Sequence, residues 1–212
     1  MDNIEFSWPD VRRSIFDMAG LASDSSTKCF IDHMGMSSFG YDYLADQYKR
    51  AADMIVASKT GGSDSRHPDG LFMPVSYLYR HALELKLKGL LDIIMQCNLH
   101  HGDDSDLSGH NLMDIWKKIK TILINQWPTA DKKSLNNVEA LLCDFHRIDK
   151  SGQALRYHVH KSGAEVKKKF PKIVRLELLS EAFNEMYHLL DGCFMHFENM
   201  LENINEMRNE YS

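Results

Sequence analysis

The sequence predicts an all-α fold, a bundle of about five principal helices with a long C-terminal helix. Apolar residues recur at steps of three and four in five separate stretches, which is the period of an amphipathic helix. The chain contains no alternation of strands and helices and no glycine-rich phosphate loop. Its 212 residues suffice for one domain with a substantial core.

Two parts of the chain differ in pattern. We interpret residues 1–36 as an N-terminal extension or docking segment and residues 37–212 as the helical bundle. Within the extension, residues 7–10 contain a serine, a proline and an aspartate suited to starting a short helix that ends near Gly20. The first bundle helix is expected from about Tyr41 until two glycines at 61–62 end it.

The second bundle helix is predicted from about Pro74, a good first-turn residue, to about Cys97. Its apolar surface is wide, which indicates burial on more than one side. Another stripe of this helix carries polar side chains at helical spacing: Tyr77, His81, Glu84 and Lys88. Glu84 and Lys88 stand in the favourable order for an ion pair worth a few tenths of a kcal/mol.

Three more helices follow along the chain. They are predicted from near His110 towards Pro128, from about Asp131 to Arg147, and over roughly the last 34 residues, which extend about 50 Å. The last helix has the strongest periodic signal, an apolar seam of the kind found in bundles: Leu179, Phe183, Met186, Leu190, Cys193, Phe197, Met200, Ile204 and Met207. We expect its tail to project beyond the shorter helices.

Composition excludes several classes of protein. The formal charge of −5 argues against a protein that coats nucleic acid over its whole surface. The four cysteines lie far apart, without a Cys-x-x-Cys pair, and indicate reduced thiols. The acidic N-terminus is unlike a signal peptide, and no apolar run is long enough to span a membrane, so we expect a cytoplasmic protein. We also expect that it binds no cofactor.

Charge is distributed unevenly near the C-terminus. Residues 147–175 contain nine basic and two acidic residues, and residues 176–212 contain one basic and eight acidic residues. One interpretation is a solvated connection that the acidic helix partly neutralises. The other is a basic segment that holds RNA or another phosphate-bearing ligand.

The candidate site lies in this basic segment. Arg156, His158 and His160 stand on alternate residues just after a glycine-containing turn. Guanidinium binds phosphate or carboxylate, and imidazole titrates near neutral pH. The other candidate ligand-binding residues are Lys161, Lys167, Lys168, Lys169 and His110.

Structural explanations of these residues remain open beside the functional one. Arg156 can instead bridge to Asp149 or Glu84 and pin the loop to the bundle, with the neighbouring histidines solvated. His110, at a predicted helix start, can be a capping or packing residue, or can point into the same groove. A further cluster has metal-ligand side chains at a spacing that matches no known loop, and we expect a solvated turn rather than a metal site there: His100, His101, Asp103, Asp104 and Asp106.

Short motifs on these helices resemble the HEPN-like helical proteins of bacteria. They are residues 78–88, 109–116, 145–149 and 155–157. The resemblance covers roughly residues 40 to 200 and implies a helical bundle, often dimeric, in toxin–antitoxin, phage-defence or CRISPR-associated systems. Active members are metal-independent ribonucleases whose arginine and histidine are separated by four to six residues. Here three residues separate Arg156 from His160, which departs from that pattern.

The resulting expectation is a homodimeric HEPN-like protein of prokaryotic defence or toxin–antitoxin type. It is expected to bind RNA or a nucleotide through the basic segment, without being an efficient enzyme. One alternative is a metal-independent ribonuclease that uses Arg156 and His160 as its catalytic pair. Another alternative is a scaffold that recruits a protein partner through its N-terminal segment or its last helix.

Overall fold

The computed structural model describes residues 40–60, 68–101, 105–156 and 173–210. Single helical turns occur at three further places in these ranges, Pro68–Leu71, Ser105–Ser108 and Ala154–Arg156. These ranges hold no strand, which confirms the all-α prediction. The predicted division at residue 36 and the short helix before Gly20 lie outside the described residues. The five helices are α1 (Gly40–Thr60), α2 (Phe72–Gln96), α3 (Leu112–Gln126), α4 (Lys133–Ile148) and α5 (Leu176–Glu210).

Helix α2 is the centre of the bundle. It packs against α1, α3 and α5, and against the turn Ala154–Arg156. Sixteen of its 25 residues are buried, so the predicted burial on more than one side is confirmed. The buried set includes four charged side chains that ordinarily stay in water: Arg80, Glu84, Lys86 and Lys88.

Side-chain hydrogen bonds to the backbone occur at the starts of α3 and α4. The Asn111 side chain accepts a hydrogen bond of 3.1 Å from the Met113 N–H, so Asn111 is the N-cap of α3. The prediction that this helix starts near His110 was therefore early by two residues, because the asparagine provides the cap. At α4 the Asp131 carboxylate accepts from the Lys133 N–H at 2.9 Å.

Helix α5 supplies most of its predicted seam to the core. Phe183, Met186, Leu190 and Phe197 are buried, as is Phe194, which the seam did not include. Towards the C-terminus the helix leaves the core, and Met207 is 53% exposed. The predicted long C-terminal helix is confirmed, and the projection of its tail beyond the shorter helices stays a prediction. Within the described residues, no helix combines the length and apolarity needed to cross a membrane.

Polar bridges fix α1 against α2 and α5. The fully buried Lys86 ammonium lies 2.5 Å from Asp42 Oδ1 on α1 and 2.7 Å from Asp191 Oδ1 on α5. One turn further along α1, Asp46 accepts a hydrogen bond of 2.5 Å from the Tyr187 hydroxyl. Burial, and secondly this hydrogen bond, raise the pKa of Tyr187, so the hydroxyl stays protonated and keeps donating.

A second bridge repeats this arrangement at the other end of α1. The Tyr79 hydroxyl lies 2.7 Å from Asp53 Oδ1 and 2.8 Å from Ser180 Oγ. A hydroxyl has one hydrogen, so Tyr79 donates to the carboxylate and accepts from the serine. Because each bridge has its own spacing and partners, together they set the register of α1 on the other two helices.

Candidate functional site

A buried arginine on α2 joins three parts of the chain. The Arg80 guanidinium donates to the Glu84 carboxylate at 2.7 Å, to the His110 carbonyl at 2.6 Å and to the Asp149 carbonyl at 3.2 Å. The Arg80 side chain is 1% exposed. The planar fork of guanidinium donors suits this task, because one side chain satisfies a carboxylate and two backbone carbonyls together. Arg80 thereby connects the start of α3 and the end of α4 to α2.

Glu84 is the acidic centre of the site. Its side chain is 5% exposed, and it contacts Arg80, Lys88 at 3.0 Å and His110 at 2.7 Å. Burial alone raises the pKa of Glu84, but the hydrogen bonds from His110 and Lys88 and the charge of Arg80 outweigh it and lower the pKa to about 2. The predicted Glu84–Lys88 pair therefore forms, but as part of a buried cluster rather than on a solvated face.

His110 presents one ring nitrogen to this cluster and the rest of its ring to solvent. Its Nδ1 faces Glu84 Oε1, and its side chain is 62% exposed. An ionised carboxylate only accepts hydrogen bonds, so Nδ1 carries the hydrogen and donates. The Glu84 carboxylate thus fixes both the orientation of the imidazole and the nitrogen that holds its proton.

The loop after α4 is folded around Asp149. The fully buried Asp149 carboxylate accepts from the N–H groups of Gln153 and Ala154 at 2.9 Å and of Leu155 at 3.3 Å. This turn requires a positive φ of 73° at Gly152, a conformation that glycine adopts without strain. The turn lies directly on the buried pair, since a Cβ at Gly152 would stand 3.6 Å from both Arg80 Nη2 and Glu84 Oε2.

Arg156 stands at the end of this loop, on the same pocket. Its guanidinium carbon lies 5.9 Å from the centroid of the Tyr77 ring, within the range of a cation–π contact. Tyr77 in turn stacks on His81, with ring centroids 5.8 Å apart. The pocket has a volume of about 80 Å³ and is lined by Tyr77, Arg80, His81, Glu84, His110, Gly152 and Arg156.

The electrostatics of this pocket favour an anion. Of the lining residues, Arg80 and Arg156 are positive and Glu84 is negative. With Lys88 beside Glu84 and the buried Asp149 carboxylate in the adjoining turn, three positive charges stand against two negative ones. Burial lowers the pKa of His81; Glu84 opposes this shift, and the charges of Arg80 and Arg156 add to it. The imidazole of His81 is therefore neutral at neutral pH and adds no further charge.

Of the candidate residues from the sequence, the structure places two in one pocket. Arg156, in the turn Ala154–Arg156, and His110, just before α3, both line it. The remaining candidates lie outside the described residues: His158, His160, Lys161, Lys167, Lys168 and Lys169. His110 is not the cap of α3, because Asn111 has that role. Arg80 links the Glu84 side chain to the Asp149 backbone. A bridge from Arg156 to Asp149 or Glu84 stays a prediction.

The role of Arg80 as the organiser of the site was not predicted from the sequence. Tyr77, His81 and Glu84 were recognised as one helical stripe, but nothing in their spacing connects them with Arg156 or His110. A usable signal did exist: Arg80, Glu84 and Lys88 are spaced at i, i+4 and i+8 on a helix that is apolar on several sides. Charged residues on such a helix are expected to pair with one another, because unpaired charges are costly to bury.

No group of three or more histidine, cysteine, aspartate or glutamate side chains suited to hold a metal ion occurs in the part of the chain that the structure describes. No protein-family model matches the chain, and neither a curated protein nor a solved structure matches it.

Proposed function

We propose that the pocket around Arg156 binds the backbone of single-stranded RNA, in a HEPN-like protein of prokaryotic defence or toxin–antitoxin type. The observation that carries the proposal is the position of Arg156. This exposed arginine lies against Tyr77, on a pocket where a buried cluster holds His110 in place. Arginine, histidine and tyrosine are the side chains that commonly contact phosphates, ribose and unstacked bases in RNA complexes.

Pocket size favours a polymer over a free nucleotide. Pockets that enclose a small molecule or a cofactor have volumes of about 300–1,000 Å³, whereas this one has about 80 Å³. A space this small accommodates part of a ligand, such as a phosphate or the edge of a ribose. We therefore propose that an RNA strand passes over the surface and inserts one backbone unit.

The sequence that follows Arg156 supports the same ligand. Lys161, Lys167, Lys168 and Lys169 follow Arg156 in the sequence and make this segment basic. We propose that they contact further phosphates along the strand, where each contact adds affinity without reading the base sequence. Binding is then expected to be nearly independent of sequence and strongly dependent on salt.

Fluorescence anisotropy with a labelled oligouridine tests this proposal. The logarithm of the affinity should fall linearly with the logarithm of salt concentration between about 50 and 200 mM. Replacing all three lysines at 167–169 by alanine should reduce the slope, since each lost phosphate contact removes about 0.7 from it for a single strand. The absence of salt-sensitive binding would refute the proposal.

The pairing of Glu84 with His110 favours a second candidate function, metal-independent RNA cleavage. A carboxylate that orients an imidazole beside an arginine is an arrangement suited to proton transfer and to stabilising a charged phosphorane. His110, besides the proposed pair Arg156 and His160, is then the residue to test. Cleavage in the presence of EDTA that is lost in Arg156→Ala, His110→Ala and His160→Ala variants would support the enzyme over the binding protein.

The homodimer that the resemblance implies remains a proposal as well. Light scattering should give twice the monomer mass of 24.4 kDa if it is correct. If the protein neither binds nor cleaves RNA, the remaining alternative is a scaffold. In that case residues 1–36 or the C-terminal helix recruit a protein partner.

A further inference from the structure

We infer that His110 recognises the ribose 2′-hydroxyl, and so makes the pocket selective for RNA over DNA. This inference rests on the proposed function, because it concerns which backbone the same pocket accepts. It starts from the contact between Glu84 Oε1 and His110 Nδ1 at 2.7 Å. That contact occupies Nδ1 and leaves Nε2 as the ring nitrogen available to a ligand.

The position of His110 is held from two sides. Its ring is fixed by Glu84, and its backbone carbonyl accepts the 2.6 Å hydrogen bond from Arg80. Arg80 and Glu84 are themselves buried and bonded to each other. Because both the ring and the backbone are anchored to the same pair, the direction of Nε2 is fixed before a ligand binds. Binding therefore costs this side chain little conformational entropy.

A 2′-hydroxyl is the ribose group that matches this nitrogen. In the neutral imidazole Nε2 accepts a hydrogen bond, and in the protonated imidazole it donates one. The 2′-hydroxyl both donates and accepts, so it pairs with Nε2 in either state, and it is the group that distinguishes RNA from DNA. Deoxyribose offers neither a donor nor an acceptor at that carbon.

Arg156 supplies the second point of contact that this recognition needs. It lines the same pocket of about 80 Å³ as His110. In a nucleic-acid strand the 2′-carbon and the phosphate belong to adjoining parts of one backbone unit. Arginine binding the phosphate and histidine binding the adjacent 2′-hydroxyl therefore use a single unit, which fits a pocket too small for a base and a ribose together.

The test compares three labelled strands of equal length: oligouridine, oligodeoxyuridine and 2′-O-methyl oligouridine. The first two differ only at the 2′ position, and the third keeps the oxygen but removes its hydrogen and adds bulk. We expect the wild-type protein to bind oligouridine roughly 2- to 10-fold more tightly than the other two, the usual value of one hydrogen bond. EDTA and gel electrophoresis of the recovered strand exclude a contribution from cleavage.

The decisive variant is His110→Asn. The asparagine amide is long enough to keep donating to Glu84 but does not extend to the position of Nε2. It should bind oligouridine and oligodeoxyuridine equally, with unchanged thermal stability. His110→Gln, which places an amide near the Nε2 position, should keep part of the preference. His188→Ala, an exposed histidine on α5, is the matched control and should keep all of it.

Two results overturn the inference while leaving the proposed function intact. One is salt-sensitive binding of oligouridine and oligodeoxyuridine with equal affinity, which means that the pocket reads phosphate alone. The other is a preference for RNA that survives in His110→Asn. If neither strand binds in a salt-sensitive manner, both the inference and the proposed function are wrong.

Discussion

Arg80 and Glu84 form an ion pair of 2.7 Å in which the two side chains are 1% and 5% exposed. They are one helical turn apart, so α2 alone brings them together. Their burial comes from segments distant in sequence, since Glu84 contacts His110, 26 residues away, and Arg80 contacts Asp149, 69 residues away. The candidate site is therefore built on an ion pair that also connects α2 to the start of α3 and to the end of α4.

Replacing Arg80 by alanine should destabilise the protein strongly. The change leaves Glu84 without one of its cations and two backbone carbonyls without this donor. Breaking one side of a buried pair costs about 3–5 kcal/mol. Urea denaturation of the variant measures the free energy of unfolding. Arg50→Ala, on the exposed side of α1, is the control and should change it by less than about 0.5 kcal/mol. A similarly small decrease in the free energy of unfolding in Arg80→Ala would show that the ion pair does not stabilise the site.

Gly152→Ala should destabilise through the backbone alone. At a φ of 73° a side chain is strained by about 1 kcal/mol, while its Cβ would meet its neighbours only at ordinary contact distance. In contrast, Gly192→Ala inside α5, where a Cβ meets nothing within 4 Å, should stabilise by about 0.5–1 kcal/mol. Thermal denaturation of both variants checks the prediction, which is wrong if the two shift stability in the same direction.

A double-mutant cycle on Lys86 and Asp42 should reveal strong coupling. Lys86 is wholly buried and Asp42 is 17% exposed. Lys86→Met removes the cation from Asp42, whereas Asp42→Asn leaves Lys86 paired with Asp191 but without its partner on α1. We expect an interaction free energy of about 1–2 kcal/mol from the free energies of unfolding. The exposed pair Arg147–Asp144, 72% and 62% exposed, should give less than about 0.5 kcal/mol. Additivity at Lys86 and Asp42 would contradict the role of this bridge.

Stability should fall as the pH drops below the ordinary histidine pKa. Burial lowers the pKa of His81 and of His146. The unfolded chain then binds more protons than the folded one just below pH 6.5, the value for a free histidine. The free energy of unfolding therefore decreases as the pH falls through this range.

The variant His81→Phe tests the contribution of one of these groups. It keeps an aromatic ring against Tyr48 and Tyr77 but removes the titration. Urea denaturation at about pH 8 and about pH 5.5 should show a smaller loss of stability in the variant than in the wild type. His188→Ala, at an exposed site, should behave as the wild type does. An equal loss in all three proteins would exclude His81 as a source of the pH dependence.

The five helices follow from the sequence because their periodicity is local. Pro74 in the first turn of α2 and the apolar seam of α5 are visible without any tertiary contact, and the structure contains both helices close to their predicted bounds. The start of α3 was misplaced because His110 and Asn111 are adjacent polar residues, and only the geometry of the hydrogen bond to Met113 shows which one caps.

The candidate site was predictable only in part. Arg156 and His110 stand out by residue type, but their meeting in one pocket depends on how the Asp149 turn folds back onto α2. Arg80 and Glu84 look like members of a solvated ion-pair stripe when spacing alone is considered. Their burial is a tertiary effect, produced by segments that are 26 to 69 residues away.

The salt dependence of RNA binding in the variant Arg156→Ala tests the central claim most directly. If the Arg156 pocket holds an RNA phosphate, the variant should bind oligouridine more weakly, and the slope of log affinity against log salt should be shallower by about 0.7. Arg50→Ala, an exposed arginine on α1, controls for the loss of one positive charge and should keep both affinity and slope. Equal affinities and slopes for wild type and Arg156→Ala would contradict the account.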